Sequence, residues 1–564
     1  MYKILLMVAF TAALALAATP VFASWSDDPA SNLAVGFGTG GQDQAKVVPT
    51  PDGGSWISWF DGGTGGYDVW IQRLDAAGNK MLGPNGIRVA QRYFSSTQDY
   101  GLSVDADGNA LLAFRITDQN QQNLKIEAQK VAPDGTLLWG ANGVQLGNSA
   151  DFLAVPKITA TSDGDIVVGW TDNSNMVFAR LDANGDELWN PEIVVSDPNG
   201  DNLTLSDLHG AEAGSAILSY VSSGSFSDPK HLFAQKLDTA GASEWTATVF
   251  DGGSLQFGNF PGFIPDGSGG AVFAWYDSGN LQSHVQHIAA DGSEVFAHNG
   301  VLVATTSGDI QVSPSAAYYP ATQDIFVAWT EEDALTQGDR GVSVQKIDAS
   351  GNLEWGASGI TVVPKTTNAD YLTNTVATSD DGAIFIFSGG VGFGQDQLYA
   401  TRLDTNGANV WNPGTVTLSS TPAEKFRLNT IILPNDMAIV AWTDDGGTGD
   451  FDVLAQNVNG DGTLGASGCA PGYTEFSGHL DAGESFTSAP IEVAQAGQKY
   501  VDLTSPASFG FFAIVTTRFG THTYVYPHVK HGHRRGAAGT YQVGVQAGAT
   551  GGDFTLCVDL DSAP

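Results

Sequence analysis

Val344-Gln-Lys-Ile-Asp-Ala-Ser-Gly-Asn-Leu-Glu-Trp355 is one of eight copies of a single turn. Others read Ile71-Gln-Arg-Leu-Asp-Ala-Ala-Gly78, Ala234-Gln-Lys-Leu-Asp-Thr-Ala-Gly241 and Thr401-Arg-Leu-Asp-Thr-Asn-Gly407, with further copies starting at Ala128, Ala179, Val285 and Ala455. They lie about 50 to 60 residues apart, the signature of a repeat array in which each copy builds one small unit that stacks on its neighbours.

Each unit holds four short strand candidates. In the third they are Pro156-Lys-Ile-Thr-Ala-Thr, Asp165-Ile-Val-Val-Gly-Trp, Met176-Val-Phe-Ala-Arg-Leu, and Glu187-Leu-Trp with Ile193-Val-Val. Ser162-Asp-Gly, Asp172-Asn-Ser-Asn and Asp182-Ala-Asn-Gly separate them, and short β-branched runs punctuated by Asp, Asn and Gly are hairpins. The glycine closing each Asp-x-x-Gly is expected in the left-handed conformation that a bulged hairpin turn needs.

The second strand sets the register, as in Trp56-Ile-Ser-Trp-Phe-Asp61, Val272-Phe-Ala-Trp-Tyr-Asp277, Phe326-Val-Ala-Trp-Thr-Glu331 and Ile439-Val-Ala-Trp-Thr-Asp444. Near-continuous apolar strands belong between two layers, as in propeller blades, and their Trp is read as blade-to-blade packing. Eight such strands predict about eight blades, with seven blades or an open solenoid as alternatives. The last copy ends at Asp461-Gly-Thr-Leu-Gly465 without an outer strand. Trp25…Asn32-Leu-Ala-Val-Gly36 is expected to supply it, closing the ring and removing exposed sheet edges.

The chain begins with Lys3, an apolar run from Ile4 to Ala18, and Val21-Phe22-Ala23 before Ser24, the layout of a secretory signal peptide over 1–23. The expected destination is extracellular, at the cell surface, or periplasmic. No later segment reaches ~18 uninterrupted apolar residues, so no membrane span is expected in the mature chain. Gly 70 with only 15% charged residues suits a turn-dense all-β protein. Net charge is −37. From Cys469 onward there are 8 Asp/Glu and 5 Lys/Arg, so nearly all of that charge sits on the repeats. Such acidity argues against nucleic acid and anionic membranes as partners and favours cations, basic surfaces or neutral glycans, and so a glycan or protein ligand. The other reading is that it only keeps an exported protein soluble.

Residues 24 to about 465 resemble secreted bacterial β-propeller repeat proteins with the signature Gln-Lys-Leu-Asp-x-x-Gly-x-x-x-Trp, which implies architecture and no particular activity. After Gly468 the repeats stop. Glu475 to Phe486, Lys499 to Thr504, Gly539 to Val545 and Gly552 to Val558 read as strands of a small antiparallel sandwich over 466–564, which resembles the pre-peptidase C-terminal domain. Gly510-Phe-Phe-Ala-Ile-Val515 replaces that family's Asp-Leu-Tyr strand. The only two cysteines, Cys469 and Cys557, bracket this segment and are expected to pair in an oxidising compartment.

Two clusters carry candidate chemistry. His522, His528, His531 and His533 precede Arg534-Arg535; His531-x-His533 is a weak metal candidate, the other reading being an exposed basic loop. The second cluster is acidic. Asp61-Gly-Gly-Thr-Gly-Gly-Tyr67-Asp68 and Asp445-Gly-Gly-Thr-Gly-Asp-Phe-Asp452 are near copies, and Asp172, Asp277, Glu332 and Asp339 hold related places. On one propeller face these carboxylates could bind Ca²⁺ or sugar hydroxyls beside Tyr67; the other reading is that Asp and Gly make the turns. No Gly-x-Ser-x-Gly elbow, zincin helix or phosphate loop is present. The expectation is therefore a secreted non-catalytic binding, adhesion or scaffold protein. The alternative is a secreted carbohydrate-active enzyme, of glycoside hydrolase or lyase type, using acidic residues of the loop face.

Overall fold

The computed structural model describes residues 24–560 except 95, 97–98, 149, 306–307, 336–337, 368–370, 391–393, 447–449, 466–473, 494–496, 505–508, 518–519, 527–530 and 549–551. The leader-like segment 1–23 lies outside the described residues. Eight four-stranded antiparallel sheets follow one another along the chain, each with its strands in order a-b-c-d. Blade 1 is Gln42–Pro49, Ser55–Asp61, Asp68–Leu74 and Ile87–Ala90. Blade 8 takes three strands from the chain's later part, Lys425–Ile432, Ala438–Asp444 and Asp452–Val458, and its outer strand is Leu33–Gly36 from the N-terminus. The ring is an eight-bladed propeller closed by the N-terminal strand, so neither seven blades nor an open solenoid describes it.

The signature has a complete physical account in blade 6. Gln345 is buried; its amide nitrogen donates to the Gly356 carbonyl (2.8 Å), while its carbonyl oxygen accepts from the Trp355 N–H (2.9 Å), fixing the path from c to d. Lys346 points to the turn side and pairs with Asp324 of its own blade (2.8 Å) and Asp381 of the next (2.9 Å). Asp348 accepts from the N–H groups of Ser350 and Asn352, both at 2.8 Å, and Gly351 closes the turn at φ 85°. Trp355 then reaches across to the Thr405 carbonyl in the next blade's turn (3.1 Å).

That last contact repeats around the ring. Trp139, Trp189, Trp245 and Trp411 donate to Ala183, Thr239, Ala290 and Gly460 in the same way. Trp25 donates to Ala76 (3.2 Å), so the N-terminal segment supplies blade 8 with its indole as well as its strand. The seam it seals is apolar: Trp25, Leu33, Val35, Ile57, Trp59, Ile439 and Val453 share one buried cluster.

The b-strand aromatics Trp59, Phe114, Trp170, Trp275, Trp329 and Trp442 are all fully buried between blades, as packing requires.

The C-terminal sandwich has two sheets. One runs Thr474–Leu480, Gly552–Asp559, Gly497–Thr504, His531–Gly536; the other is built on Gly539–Gln546 and Gly510–Thr517. Leu503, Phe509, Phe511, Val543, Val545 and Leu556 fill the space between them. His531 and His533 were expected on a loop. They lie instead in a paired strand, His533 opposite Tyr500 and His531 opposite Asp502, because the backbone finds ladder partners along Gly497–Thr504. Their side chains, and His528, fall outside the described residues. Cys557 is buried in the Gly552–Asp559 strand and is not a free thiol; Cys469 lies outside the described residues. Among the described residues no helix is long and apolar enough to cross a membrane.

Candidate functional site

Antiparallel order places the b–c loops and the d-to-a connections at one end of the ring, here the upper face. The a–b and c–d turns lie at the other. All the acidic loop residues singled out in the sequence are on the upper face. Asp61 accepts from Gly63 N–H (2.9 Å) and the Gln42 amide (3.1 Å). Asp68 is buried and accepts from Thr64, Arg88 and the Arg92 N–H. Asp277 holds the Gly279 N–H (2.8 Å) and the Ser254 N–H (3.2 Å), and Asp445 the Glu424 N–H (3.0 Å). Asp172 accepts from the Asn173 amide (3.1 Å), and Glu332 pairs with Arg340 (3.2 Å). Partial burial pushes the carboxyls of Asp61, Asp172 and Asp452 upward. Asp339 and Asp452 begin the c strands of blades 6 and 8, and Tyr67 sits at φ 46° with its carbonyl held by Arg92. These groups are spread over five blades, with Asp61, Tyr67 and Asp68 in blade 1, Asp172 in blade 3, Asp277 in blade 5, Glu332 and Asp339 in blade 6, and Asp445 and Asp452 in blade 8. Among the described residues no group of three or more His, Cys, Asp or Glu side chains is placed to hold a metal ion.

The structure brings other residues together, on the a strands that line the central channel. One position on each a strand faces the residue preceding the b-strand aromatic. Around the ring it is Lys46, Gly101, Lys157, Asp207, Gly262 (just before its strand), Ser315, Asn374 and Asn429. In blades 1, 3, 4, 6 and 8 a β-bulge interrupts the register immediately before this position. Four of those bulges hold a non-glycine residue at positive φ: Gln44, Val155, Ser313 and Arg427. Bulges re-aim side chains, and here they do so at the channel wall.

Asp99, just ahead of Gly101, reaches between two neighbours. Its carboxylate meets Lys46 at 2.7 Å and also Lys157. Burial alone would raise this acid, yet the two ammonium groups hold it well below the usual carboxylate range. Asp207 follows the same logic: burial is outweighed by His209 and Lys157, and its carboxyl is held low. Its Oδ2 accepts from the Phe263 N–H (3.2 Å) and faces His209 Nε2 (3.2 Å). A Cβ on Gly262 would stand 2.7 Å from that oxygen, so the glycine makes room for the pair. His209 packs edge-on to Phe263 with centroids 4.8 Å apart and keeps 39% of its side chain exposed. With Nε2–H directed at the Asp207 carboxylate, Nδ1 is the ring nitrogen left to exchange a proton with a ligand.

Asp207, His209, Gly262 and Phe263 border a cavity of about 1060 Å³. Asp207 and His209 form one wall. Arg427, four blades away, forms the opposite one with Asn374 and Asn429. The upper rim is the connection from blade 4 to blade 5, including Phe257 and Phe260, with Tyr276 beside it. Among the described residues the Arg427 guanidinium, exposed in this cavity, is not paired with a carboxylate.

Cations are scarce here, 24 Lys and Arg against 61 Asp and Glu. Six of them, Arg73, Lys130, Arg180, Lys236, Lys346 and Arg402, are spent on turn carboxylates at the lower face. Lys46 and Lys157 are balanced by the carboxylates of Asp99 and Asp207, which leaves Arg427 as the cation on the cavity wall, where low-dielectric surroundings focus its field.

The sequence reading missed this set. A signal did exist: Lys46 and Lys157 occupy matching places in the first strand of two repeats. The bulges that orient them leave no trace in residue type.

No family model and no curated protein matches the chain. Solved structures do. An ulvan lyase, described as a new family of polysaccharide lyase, aligns over 78% of this chain and 97% of its own, at 10% identity and TM-score 0.42. An α-L-arabinofuranosidase of Fusarium graminearum solved with arabinobiose covers 54% of this chain and 93% of its own, at 12% identity and TM-score 0.33. An α-L-arabinanase of Penicillium chrysogenum covers 53% and 92%, at 14% identity and TM-score 0.33.

Proposed function

We propose that this chain is an exported carbohydrate-active enzyme that takes an acidic polysaccharide into the upper mouth of the channel. One observation carries the reading: in a molecule of net charge −37, the cavity is walled by Arg427, which pairs with no carboxylate among the described residues, and by a His209–Asp207 pair. Anionic ligands are excluded from most of such a surface and drawn to this one place. Asn374, Asn429 and Ser315 supply the neutral hydrogen-bonding groups that sugar hydroxyls need. In this reading Arg427 anchors a carboxylate or sulfate. His209, oriented by Asp207, moves a proton at Nδ1. The upper-face residues Asp61, Asp68, Asp172, Asp277, Glu332, Asp339, Asp445 and Asp452 shape the surrounding loops. Export, and a Cys469–Cys557 disulfide tying the sandwich, belong to the same proposal.

The test is incubation with a panel of uronate-containing, sulfated and neutral polysaccharides, following new reducing ends and the ultraviolet absorbance of unsaturated sugars. Product from acidic chains only, lost in His209→Ala and Arg427→Ala, is the expected result. Binding of acidic chains without any product selects the non-catalytic binding protein instead. Equal handling of neutral and acidic chains overturns the role of Arg427.

A further inference from the structure

Beside the cavity, blade 4 exposes an aromatic surface that the channel residues do not explain. Phe226, in the connection between strands Ala216–Ser223 and His231–Leu237, is 76% exposed, and Phe257, in the connection to blade 5, is 66% exposed. The two rings are 4.6 Å apart. Two large apolar side chains held together in water on an acidic protein are unfavourable unless something covers them.

The pair is built. Lys230 N–H donates to Ser254 (3.1 Å), and Leu255 N–H donates to the Lys230 carbonyl (2.9 Å), stitching the two connections together. The Lys230 ammonium is held by the carbonyls of Phe226 (2.9 Å) and Asp228 (3.0 Å). From there it stands 5.9 and 5.8 Å from the two ring centroids. Among the described residues no carboxylate pairs with it. A flat apolar surface thus has one fixed positive charge at its edge, and Phe257 belongs to both this surface and the cavity wall.

We propose that Phe226, Phe257 and Lys230 form an outer subsite for one acidic sugar of a polysaccharide whose chain continues into the channel; this rests on the function proposed above. The C–H face of a pyranose covers the rings, and its carboxylate or sulfate meets Lys230. A second copy of this chain is a poor occupant, because two bodies of charge −37 repel. A neutral sugar would leave the ammonium without its counter-charge.

The experiment measures binding of uronate and sulfated oligosaccharides of graded length to the full chain and to three variants. Phe226→Ala, which leaves the cavity wall intact, is expected to weaken long oligosaccharides roughly fivefold and to leave the shortest unchanged. Lys230→Gln is expected to narrow the preference for acidic over neutral chains and to flatten the salt dependence. Arg427→Ala separates the two readings. If it binds like the parent chain while the phenylalanine variant does not, the channel reading fails and the subsite stands. If the phenylalanine variant binds every length like the parent chain, the subsite is overturned and the channel reading survives. If the parent chain binds no acidic oligosaccharide, both fall.

Discussion

The indole N–H of Trp25 donates to the carbonyl of Ala76 at 3.2 Å, and its ring lies against Gly78, where a Cβ would come within 2.6 Å. Those two residues join the N-terminal segment to the first repeat turn, completing a contact that Trp355 makes with Thr405 and Gly407 two blades earlier in the ring. Closure of the ring is therefore the same local interaction used once more, now between the N-terminal segment and blade 1.

Trp25→Ala should accordingly cost more than a surface change. The side chain is 4% exposed and shares a cluster with Leu33, Val35 and Trp59. Truncating a buried Trp costs about 3–5 kcal/mol. Urea unfolding is expected to show that loss, and amide exchange should accelerate first in Leu33–Gly36 and its partner Asp452–Val458. A loss below about 1 kcal/mol, within the range of an ordinary surface substitution, would mean that the strand alone closes the ring.

Lys346 tests the lower ring. It bridges Asp324 and Asp381 across two blades with only 8% of its side chain exposed. Removing it leaves two carboxylates facing each other. Lys346→Ala is expected to destabilise by about 3 kcal/mol, the low end for a broken buried pair because Asp381 is partly solvated. Adding Asp381→Asn should restore part of the loss, since it removes one of the stranded charges. Thermal unfolding of the single and double variants checks both statements.

Glu127 predicts a pH dependence. It lies in the Lys125–Val131 strand at 2% exposure, accepting one bond from the Gln145 amide (2.7 Å), and burial pushes its carboxyl from 4.5 up to about 7. The folded chain thus keeps a proton that the unfolded chain releases between those values. Stability from this group is complete below 4.5 and declines as pH rises through about 7, by on the order of 3 kcal/mol. Glu127→Gln should flatten that decline and be more stable than the parent chain at pH 8. An unchanged slope between pH 5 and 7 would refute the assignment.

The sequence made the blades legible because their determinants are local. Gln345, Asp348, Gly351 and Trp355 lie within eleven residues of one another, and each acts on a turn that residue type alone identifies. The channel was not legible for the opposite reason. Lys46, Asp99, Lys157, Asp207 and His209 come from four blades and meet only once the ring has closed. Val155 and Arg427 adopt positive φ, which their residue types give no reason to expect. Phe226 and Phe257 lie in two separate connections and look in isolation like ordinary loop residues. The histidines went astray for a simpler reason: a polar run such as His531-Gly-His-Arg-Arg reads as loop, yet it pairs with Gly497–Thr504.

Arg427 brings function and stability into opposition. At φ 56° its backbone occupies the left-handed region, which costs a non-glycine residue of order 1 kcal/mol or more. Glycine adopts that conformation freely, although it also gains freedom in the unfolded chain. The neighbouring bulge, between Phe426 and Asn429, stays open to either residue. Arg427→Gly should therefore leave the folded state as stable as before or stabilise it by up to about 1 kcal/mol, while removing the guanidinium from the cavity wall. Binding of acidic oligosaccharides should fall at least tenfold, the loss of one charge-assisted contact. Binding of neutral ones should not change. Arg427→Lys keeps the charge but not the planar fork, and is expected to recover only part of the affinity. A glycine variant that is clearly destabilised would show that the guanidinium supports the blade, and that its exposure in the channel is incidental.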